Sequence, residues 1–248
     1  MGGKMNKWYT REQATSLFKN SDNDLIKLAL KYNSSKLLDP ECTHYLTHYN
    51  NRLKNYRNKP IKILEIGVKD GDSLRLWKDY FHADSKIYGI ELNKEPLEEF
   101  DQENTKVFFG SQTDIQFLND VVTEIGKVDI IIDDGGHTSN QLISTFNFLF
   151  EYGLENNGIY IMEDLGTSYW YRWSGGLNNK NSIISFLKDK IDGINYRFWK
   201  GNRTDYTTKP PYDIVDGTYQ DENIEHMTFY KGLCFIKKNN NKIGEELG

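Results

Sequence analysis

Cysteine is almost missing from this chain: its 248 residues include two, Cys42 and Cys234, far apart and in no metal-ligating spacing. That excludes a disulfide framework and a thiolate zinc site. Proline is scarce at 5 and the 20 glycines follow no repeat, so neither a collagenous nor a low-complexity chain fits. No apolar run approaches the ~20 residues a membrane-spanning helix needs, and no signal-peptide core opens the sequence. A basic surplus is missing too. Lys+Arg number 31 against 36 Asp+Glu, a formal net charge of -5, which disfavours generic nucleic-acid affinity. What remains is 38% hydrophobic, 14% aromatic and long enough to bury a real core, and a cytoplasmic enzyme is the expected class.

Met1-Gly2-Gly3-Lys4-Met5 reads as an added leader before a natural start at Met5. Residues from about 10 to 55 are polar and helix-compatible, with Leu25, Ile26, Leu28, Leu30 and Leu37 marking short amphipathic pieces and Thr43 to Leu53 another. No strand signal occurs there, so residues 1–56 are expected to form a helical N-terminal cap on a domain spanning 57–248. From residue 61 the pattern changes. Apolar, β-rich runs at Ile61–Ile66, Lys86–Glu91, Thr105–Phe109, Val128–Asp133 and Gly158–Glu163 alternate with helix-length segments at Ser73–Phe81, Glu95–Asp101, Asp114–Ile125 and Asn140–Glu151. This alternation predicts an α/β fold of βαβ units around a parallel sheet, with ligands at the carboxyl ends of the strands. A further helix (Ser182–Ile191) and an antiparallel hairpin around Lys231-Gly232 are expected near the end.

The first strand-to-helix turn runs Glu65-Ile66-Gly67-Val68-Lys69-Asp70-Gly71-Asp72-Ser73. Gly67 and Gly71 let the backbone turn tightly and approach a ligand. Their spacing is not the three-glycine dinucleotide fingerprint, so a pyrophosphate cradle is disfavoured. Glu65 would repel phosphates but suits an ammonium. Glu91, ending the second strand, is placed to accept both hydroxyls of a ribose. Gly110-Ser111-Gln112-Thr113-Asp114 offers Ser111 and Gln112 to an adenine edge, with Asp114 as a helix cap. Ribose, adenine and a cationic amino-acid tail together describe S-adenosylmethionine. Ser73 and Asp133, at the ends of neighbouring elements, are counted with its expected contacts. Each feature alone also has a plain structural reading, as turn or cap.

Two acidic clusters sit at successive strand ends: Asp133-Asp134-Gly135-Gly136-His137 after the fourth strand and Glu163-Asp164 after the fifth. Parallel neighbours lie roughly 4.8 Å apart, so adjacent fourth and fifth strands would bring Asp134, Glu163 and Asp164 to one point. Carboxylates that close repel unless a cation neutralises them, and hard oxygen donors favour Mg²⁺ or Mn²⁺ over zinc. His137, three residues after Asp134, suits a general base near neutral pH. The bland alternatives are acidic helix caps and a solvated histidine.

These residues carry a family resemblance. Lys62–Val68, Gly71–Lys78 and Ile87–Glu91 resemble the class I S-adenosylmethionine-dependent methyltransferases. Asp133-Asp134-Gly135-Gly136-His137 is similar to the Asp-Asp-Gly-Ser-His of the metal-dependent macrolide sugar O-methyltransferases of mycinamicin and tylosin type, with Gly136 in place of Ser. Ile161-Met162-Glu163-Asp164, Thr167-Ser168-Tyr169-Trp170, Gly110–Asp114 and the closing Phe229–Ile236 hairpin resemble further segments of that group. The resemblance spans roughly residues 40–237. It implies a Rossmann-like seven-stranded methyltransferase sheet with a C-terminal antiparallel hairpin, metal ligands Asp134, Glu163 and Asp164, His137 as base, Tyr45 and Tyr49 near the cofactor, and a homo-oligomer. The large N-terminal auxiliary domain of some members has no counterpart here, and Glu91 stands where the family more often has Asp. Residues 199–225, with Arg203, Pro210-Pro211, Tyr212 and Tyr219, align to nothing clear.

The run Tyr169-Trp170-Tyr171-Arg172-Trp173 reads either as a lid presenting Tyr169, Trp170 and Arg172 to the acceptor or as a packed apolar loop. The expected activity is Mg²⁺-dependent methylation of a sugar hydroxyl. The acceptor would be a nucleotide-activated sugar (a GDP-heptose or deoxysugar) for a capsule or surface glycan, or a glycosylated metabolite. The alternatives are a methyltransferase-like binding domain without turnover and an O-methyltransferase of a non-sugar small molecule. A non-haem iron oxygenase is disfavoured, because His82 and His226 lie in segments with no link to the acidic loops.

Overall fold

The polar, strand-poor opening folds into four helices: α1 (Arg11–Phe18), α2 (Asp24–Tyr32), α3 (Ser35–Leu38) and α4 (Thr43–Leu53). Their starts are written in the sequence. Thr10 and Gln13 form a reciprocal capping box on α1, and the Asn23 side chain accepts from the backbone N–H groups of Leu25 and Ile26. The α2 helix stops at Asn33, which turns left-handed at φ 57°. The computed structural model describes residues 8–94, 97–100, 104–195 and 217–239. The expected leader at residues 1–4, part of the Glu95–Asp101 helix and residues Arg203, Pro210, Pro211 and Tyr212 lie outside them. The chain divides into two compact units, Met1–Ser111 and Gln112–Gly248.

In the first unit β1 (Lys62–Ile66), β2 (Lys86–Glu91) and β3 (Thr105–Phe109) run parallel in the order β3-β2-β1, with Glu65 level with Gly89 and Gly89 with Val107. Helix α5 (Asp72–Tyr80) makes the first crossover and packs on α2, burying Leu74, Leu76, Trp77 and Tyr80. Between β2 and β3 the described residues form one 3-10 turn, Leu97–Phe100, where a longer helix was expected. Only Leu97 and Phe100 are apolar anchors there, and their i, i+3 spacing fits three residues per turn.

The second unit holds α6 (Ile115–Ile125), β4 (Val128–Asp133), α7 (Ser139–Phe148), β5 (Leu154–Met162), α8 (Ile183–Ile194), α9 (Tyr219–Asn223), β6 (Ile224–Tyr230) and β7 (Leu233–Lys238). Its strands run β4-β5-β7-β6, the first pair parallel and the others antiparallel. Strand β5 starts at Leu154, before the expected Gly158, and α7 stops at Phe148 and gives way to a π-type turn, Leu149–Gly153. The β4/β5 register breaks between Val128 and Ile130, so the exposed Glu155-Asn156-Asn157 bulges within the strand and masks its start. Together the two units supply the seven strands of the expected mixed sheet, C-terminal hairpin included. Among the described residues no helix is long and apolar enough to cross a membrane.

Strand β7 ends on Lys238, fully buried. Its Nζ donates to the carbonyls of Phe150 (2.7 Å) and Leu154 (2.9 Å), closing the Leu149–Gly153 turn, between the rings of Phe150 and Tyr219. Burial, helped by Lys127 and opposed by Glu151 and Glu155, pushes this lysine down from 10.5 to about 8. A neutral amine keeps two N–H donors, enough for the two short contacts. Between about pH 8 and 10.5 the unfolded chain therefore binds more protons than the folded one, and stability rises with pH across that window. Lys238→Met is expected to abolish that rise and, at its alkaline end, to cost about 1–3 kcal/mol through unpaired carbonyls. Urea unfolding of both proteins at the two ends of the window checks this.

Candidate active site

In the first unit the turn after β1 needs its glycines. Gly67 and Gly71 have φ of 83° and 73°, and a Cβ on Gly71 would lie 2.3 Å from the Phe100 ring. The Glu91 carboxylate, at the end of β2, reaches across to this turn. Its Oε2 accepts from the Lys69 N–H (2.9 Å) and its Oε1 from the Leu92 N–H (2.7 Å). Its Oε1 also accepts a long bond from the Asn93 N–H (3.4 Å), so Oε2 is the oxygen that keeps a second lone pair for a ribose hydroxyl. Ser73 is buried in the first turn of α5, and Ser111 is half-buried just after Gly110.

Glu65 is 1% exposed and is already engaged: Trp77 Nε1 donates to its Oε2 at 2.8 Å, and Lys36 Nζ lies 3.6 Å from its Oε1. Lys36 is itself 6% exposed. The first cation beside this carboxylate is thus the chain's own, a contribution of α3 that sequence patterning does not reveal. Tyr49 packs its ring on Trp77 (5.4 Å between centroids) and Tyr45 is buried on the same helix, so α4 reaches Glu65 through the indole.

The second unit gathers the acidic loops. Ligand atoms of Asp134, His137 and Asp164 all lie within 4.8 Å of one another, and a carboxylate oxygen of Asp134 lies within 4.8 Å of one of Glu163. Pairing of Asp133 with Met162 at the ends of β4 and β5, extended by the Glu163 N–H donating to the Asp133 carbonyl (3.0 Å), brings the two loops level. Two carboxylates at this range repel by about 3.5 kcal/mol at an effective dielectric of ~20. An oxygen-rich cluster of this kind, with Glu163 buried, fits a hard divalent cation. Asp164 is held left-handed at φ 52°, and His137 Nε2 sits 3.6 Å from its Oδ2. The other imidazole nitrogen, Nδ1, is buried with no hydrogen-bond partner.

His137 is framed by the loop after β5. The Thr167 hydroxyl lies within hydrogen-bond reach of the carbonyls of Asp164 (2.8 Å) and His137 (3.2 Å), and the Trp173 ring meets the imidazole at 5.6 Å and 68°. The loop folds back tightly at Gly175, where a Cβ would lie 2.3 Å from the Ser168 carbonyl oxygen. Trp173 is thus the aromatic residue that reaches the histidine, with Arg172 stacked on it at 5.2 Å. Tyr169, Trp170 and Tyr171 point outward, Tyr171 at 94% exposure. An aromatic run is plain in the sequence, but its 3-10 turns decide which member faces inward.

Asp133 and Gln112, both expected at the cofactor, are buried in the second unit and hydrogen-bonded to each other. Asp133 accepts from Gln112 Nε2 (3.1 Å) and from the Tyr160 hydroxyl (2.9 Å). Complete burial pushes the Asp133 carboxyl up to about 7; the bonds from Tyr160, Gln112 and Gly135 oppose the shift and the Asp134 charge adds to it. His82 and His226 pair locally with Asp84 and Glu225.

No family model matches the chain. Relatives do. It is 29% identical to the mycinamicin VI 2''-O-methyltransferase of Micromonospora griseorubida over 89% of this chain and 54% of the relative. It is 31% identical to the 8-demethyl-8-(2-methoxy-alpha-L-rhamnosyl)-tetracenomycin-C 3'-O-methyltransferase of Streptomyces olivaceus, over 89% of this chain and 55% of that one. The solved structure of the MycE methyltransferase of mycinamycin biosynthesis, in complex with Mg and SAH, superposes with a TM-score of 0.75 at 28% identity, covering 88% of this chain and 55% of that one. The chain has the class I methyltransferase fold and is a relative of the macrolide sugar O-methyltransferases. It spans about half the length of the relatives it matches. At Gly136, where the sequence resemblance leads one to expect Ser, a Cβ would lie 2.1 Å from the Gln141 amide, which caps α7 through Thr138.

Proposed function

We propose that this chain is a Mg²⁺-dependent (or Mn²⁺-dependent) S-adenosylmethionine O-methyltransferase of the cytoplasm that methylates a hydroxyl of a sugar carried on a larger group. The observation that carries the reading is the convergence of Asp134 with Glu163, Asp164 and His137 at the ends of β4 and β5. Asp134, Glu163 and Asp164 hold the metal, while Glu91 and the Gly67–Gly71 turn seat the cofactor. A divalent cation held there would acidify a sugar hydroxyl, and S-adenosylmethionine would supply the methyl group. His137 Nε2 takes the hydroxyl proton, and Trp173 with Arg172 holds the imidazole from the other side. Tyr169 and Trp170 present aromatic surface to the acceptor. Holding the reactants in line is worth about 7–11 kcal/mol at best. The N-terminal segment 1–56 serves as a cap on this domain through its described helices, with Lys36 and Tyr49 as contacts to Glu65 and Trp77.

The relatives' names specify glycosides, and a nucleotide is the other carrier that the sequence admits. The test is incubation with Mg²⁺, S-adenosylmethionine and a panel of glycosides and nucleotide sugars, read by mass spectrometry as a one-methylene gain with equimolar S-adenosylhomocysteine. Cofactor binding with no S-adenosylhomocysteine from any acceptor would establish a binding domain. Methylation of phenols alone would establish a non-sugar enzyme.

A further inference from the structure

Gln112 opens the second unit almost completely buried, and its amide makes three bonds in three directions. Its Nε2 donates to Asp133 Oδ1 (3.1 Å) and to Thr145 Oγ1 (3.0 Å), while its Oε1 accepts from the Gly136 N–H. Asp133 is anchored a second time by the Tyr160 hydroxyl, and Thr145 is anchored by donating to the Gln141 carbonyl (2.8 Å). Asp133 and Gly136 flank Asp134 on either side, and Gly136 directly precedes His137. One side chain therefore grips both ends of the short segment that carries a proposed metal ligand and leads into the proposed base.

The geometry points to Gln112 as a positioning residue: its amide locks the Asp134–His137 loop into the shape in which those two side chains meet Glu163 and Asp164. The inference rests on the function proposed above for what the loop does, but the lock itself is a statement about the loop. Chemistry selects the residue type. The site asks one planar group to donate to a carboxylate and accept from a backbone N–H, which an amide does and an ionised carboxylate cannot. An amide of this length also spans from the start of the unit to both ends of the loop. Buried polar networks of this kind are costly when half satisfied, so removing the hub releases Gly136 and Asp133 together.

The test is Gln112→Met, which keeps the volume and removes all three bonds, with isosteric Gln112→Glu as a second variant should the first fold poorly. Two readouts are taken on full-length protein of confirmed folding. Amide hydrogen exchange of peptides covering residues 134–138, measured without metal, is expected to accelerate in the variants while α6 and β5 keep wild-type protection. Mn²⁺ binding, followed by the electron paramagnetic resonance of the free ion, is expected to weaken roughly 10- to 100-fold, as for other partners that orient metal ligands. Unchanged loop exchange overturns the lock, whatever the metal does. Accelerated exchange with a wild type that binds no Mn²⁺ leaves the lock standing and removes the metal reading. Unchanged exchange with weakened S-adenosylmethionine binding would make Gln112 a cofactor contact instead.

Discussion

Glu163→Gln and Asp134→Asn are each expected to lower methyl transfer by roughly 10³-fold or more, since the cation's share of transition-state stabilisation is several kcal/mol and each 1.36 kcal/mol is about tenfold. Both substitutions preserve shape, so lost packing cannot explain the loss. Stability should move the other way. In the absence of metal the wild type carries carboxylates of Asp134 and Glu163 within 4.8 Å of each other, and removing one charge relieves that repulsion. The metal-free variants should therefore unfold at the same temperature as the wild type or higher. Added Mg²⁺ should raise the wild-type midpoint by mass action on the folded state, and should do so little or not at all for the variants. Scanning calorimetry with and without Mg²⁺, beside an activity assay, reads both signs at once. A variant that keeps full activity in chelator would end the metal reading.

The strand ends are legible in the sequence because a parallel strand buried on both faces is an apolar run, and an acidic residue that stops such a run stands out. Glu91, Asp134 and Glu163 declare themselves in this way. What the neighbouring acid, Asp133, bonds to is not legible. Asp133 and Asp134 are neighbours in the same loop, yet one is buried on Tyr160 and Gln112 while the other meets His137. Side chains alternate along a strand, and a shift of one residue exchanges their roles. The partner that decides the matter, Tyr160, sits 27 positions away in an apolar strand. Its signal is a phenol in a run of aliphatics, since a buried hydroxyl must find an acceptor. The Lys36–Glu65 pair is hidden for a different reason. Nothing in the periodicity of a four-residue helix says which strand its lysine will reach.

His137→Gln is expected to reduce kcat by about 10²–10⁴ while Mn²⁺ and S-adenosylmethionine bind as in the wild type. Glutamine fills similar space and keeps a polar group facing Asp164, but it cannot hold a proton. Two features of the histidine's surroundings argue for a base. Nε2 lies 3.6 Å from the carboxylate of Asp164, a proposed metal ligand, and the Trp173 ring meets the imidazole at 5.6 Å. Because His137 Nδ1 is buried without a partner, the carboxylate-side nitrogen is the one with chemistry available to it. The competing assignment is a fourth metal ligand, since His137 clusters with Asp134 and Asp164. The two roles separate cleanly. A ligand would weaken Mn²⁺ binding when removed, whereas a base would not. A base removed as His137→Ala, moreover, leaves a partly exposed gap beside Trp173 into which free imidazole fits. Added imidazole should then restore part of the lost rate in proportion to its neutral fraction, while leaving Mn²⁺ affinity alone. Weakened Mn²⁺ binding in His137→Gln, with no rescue of His137→Ala, would reassign the histidine to the metal.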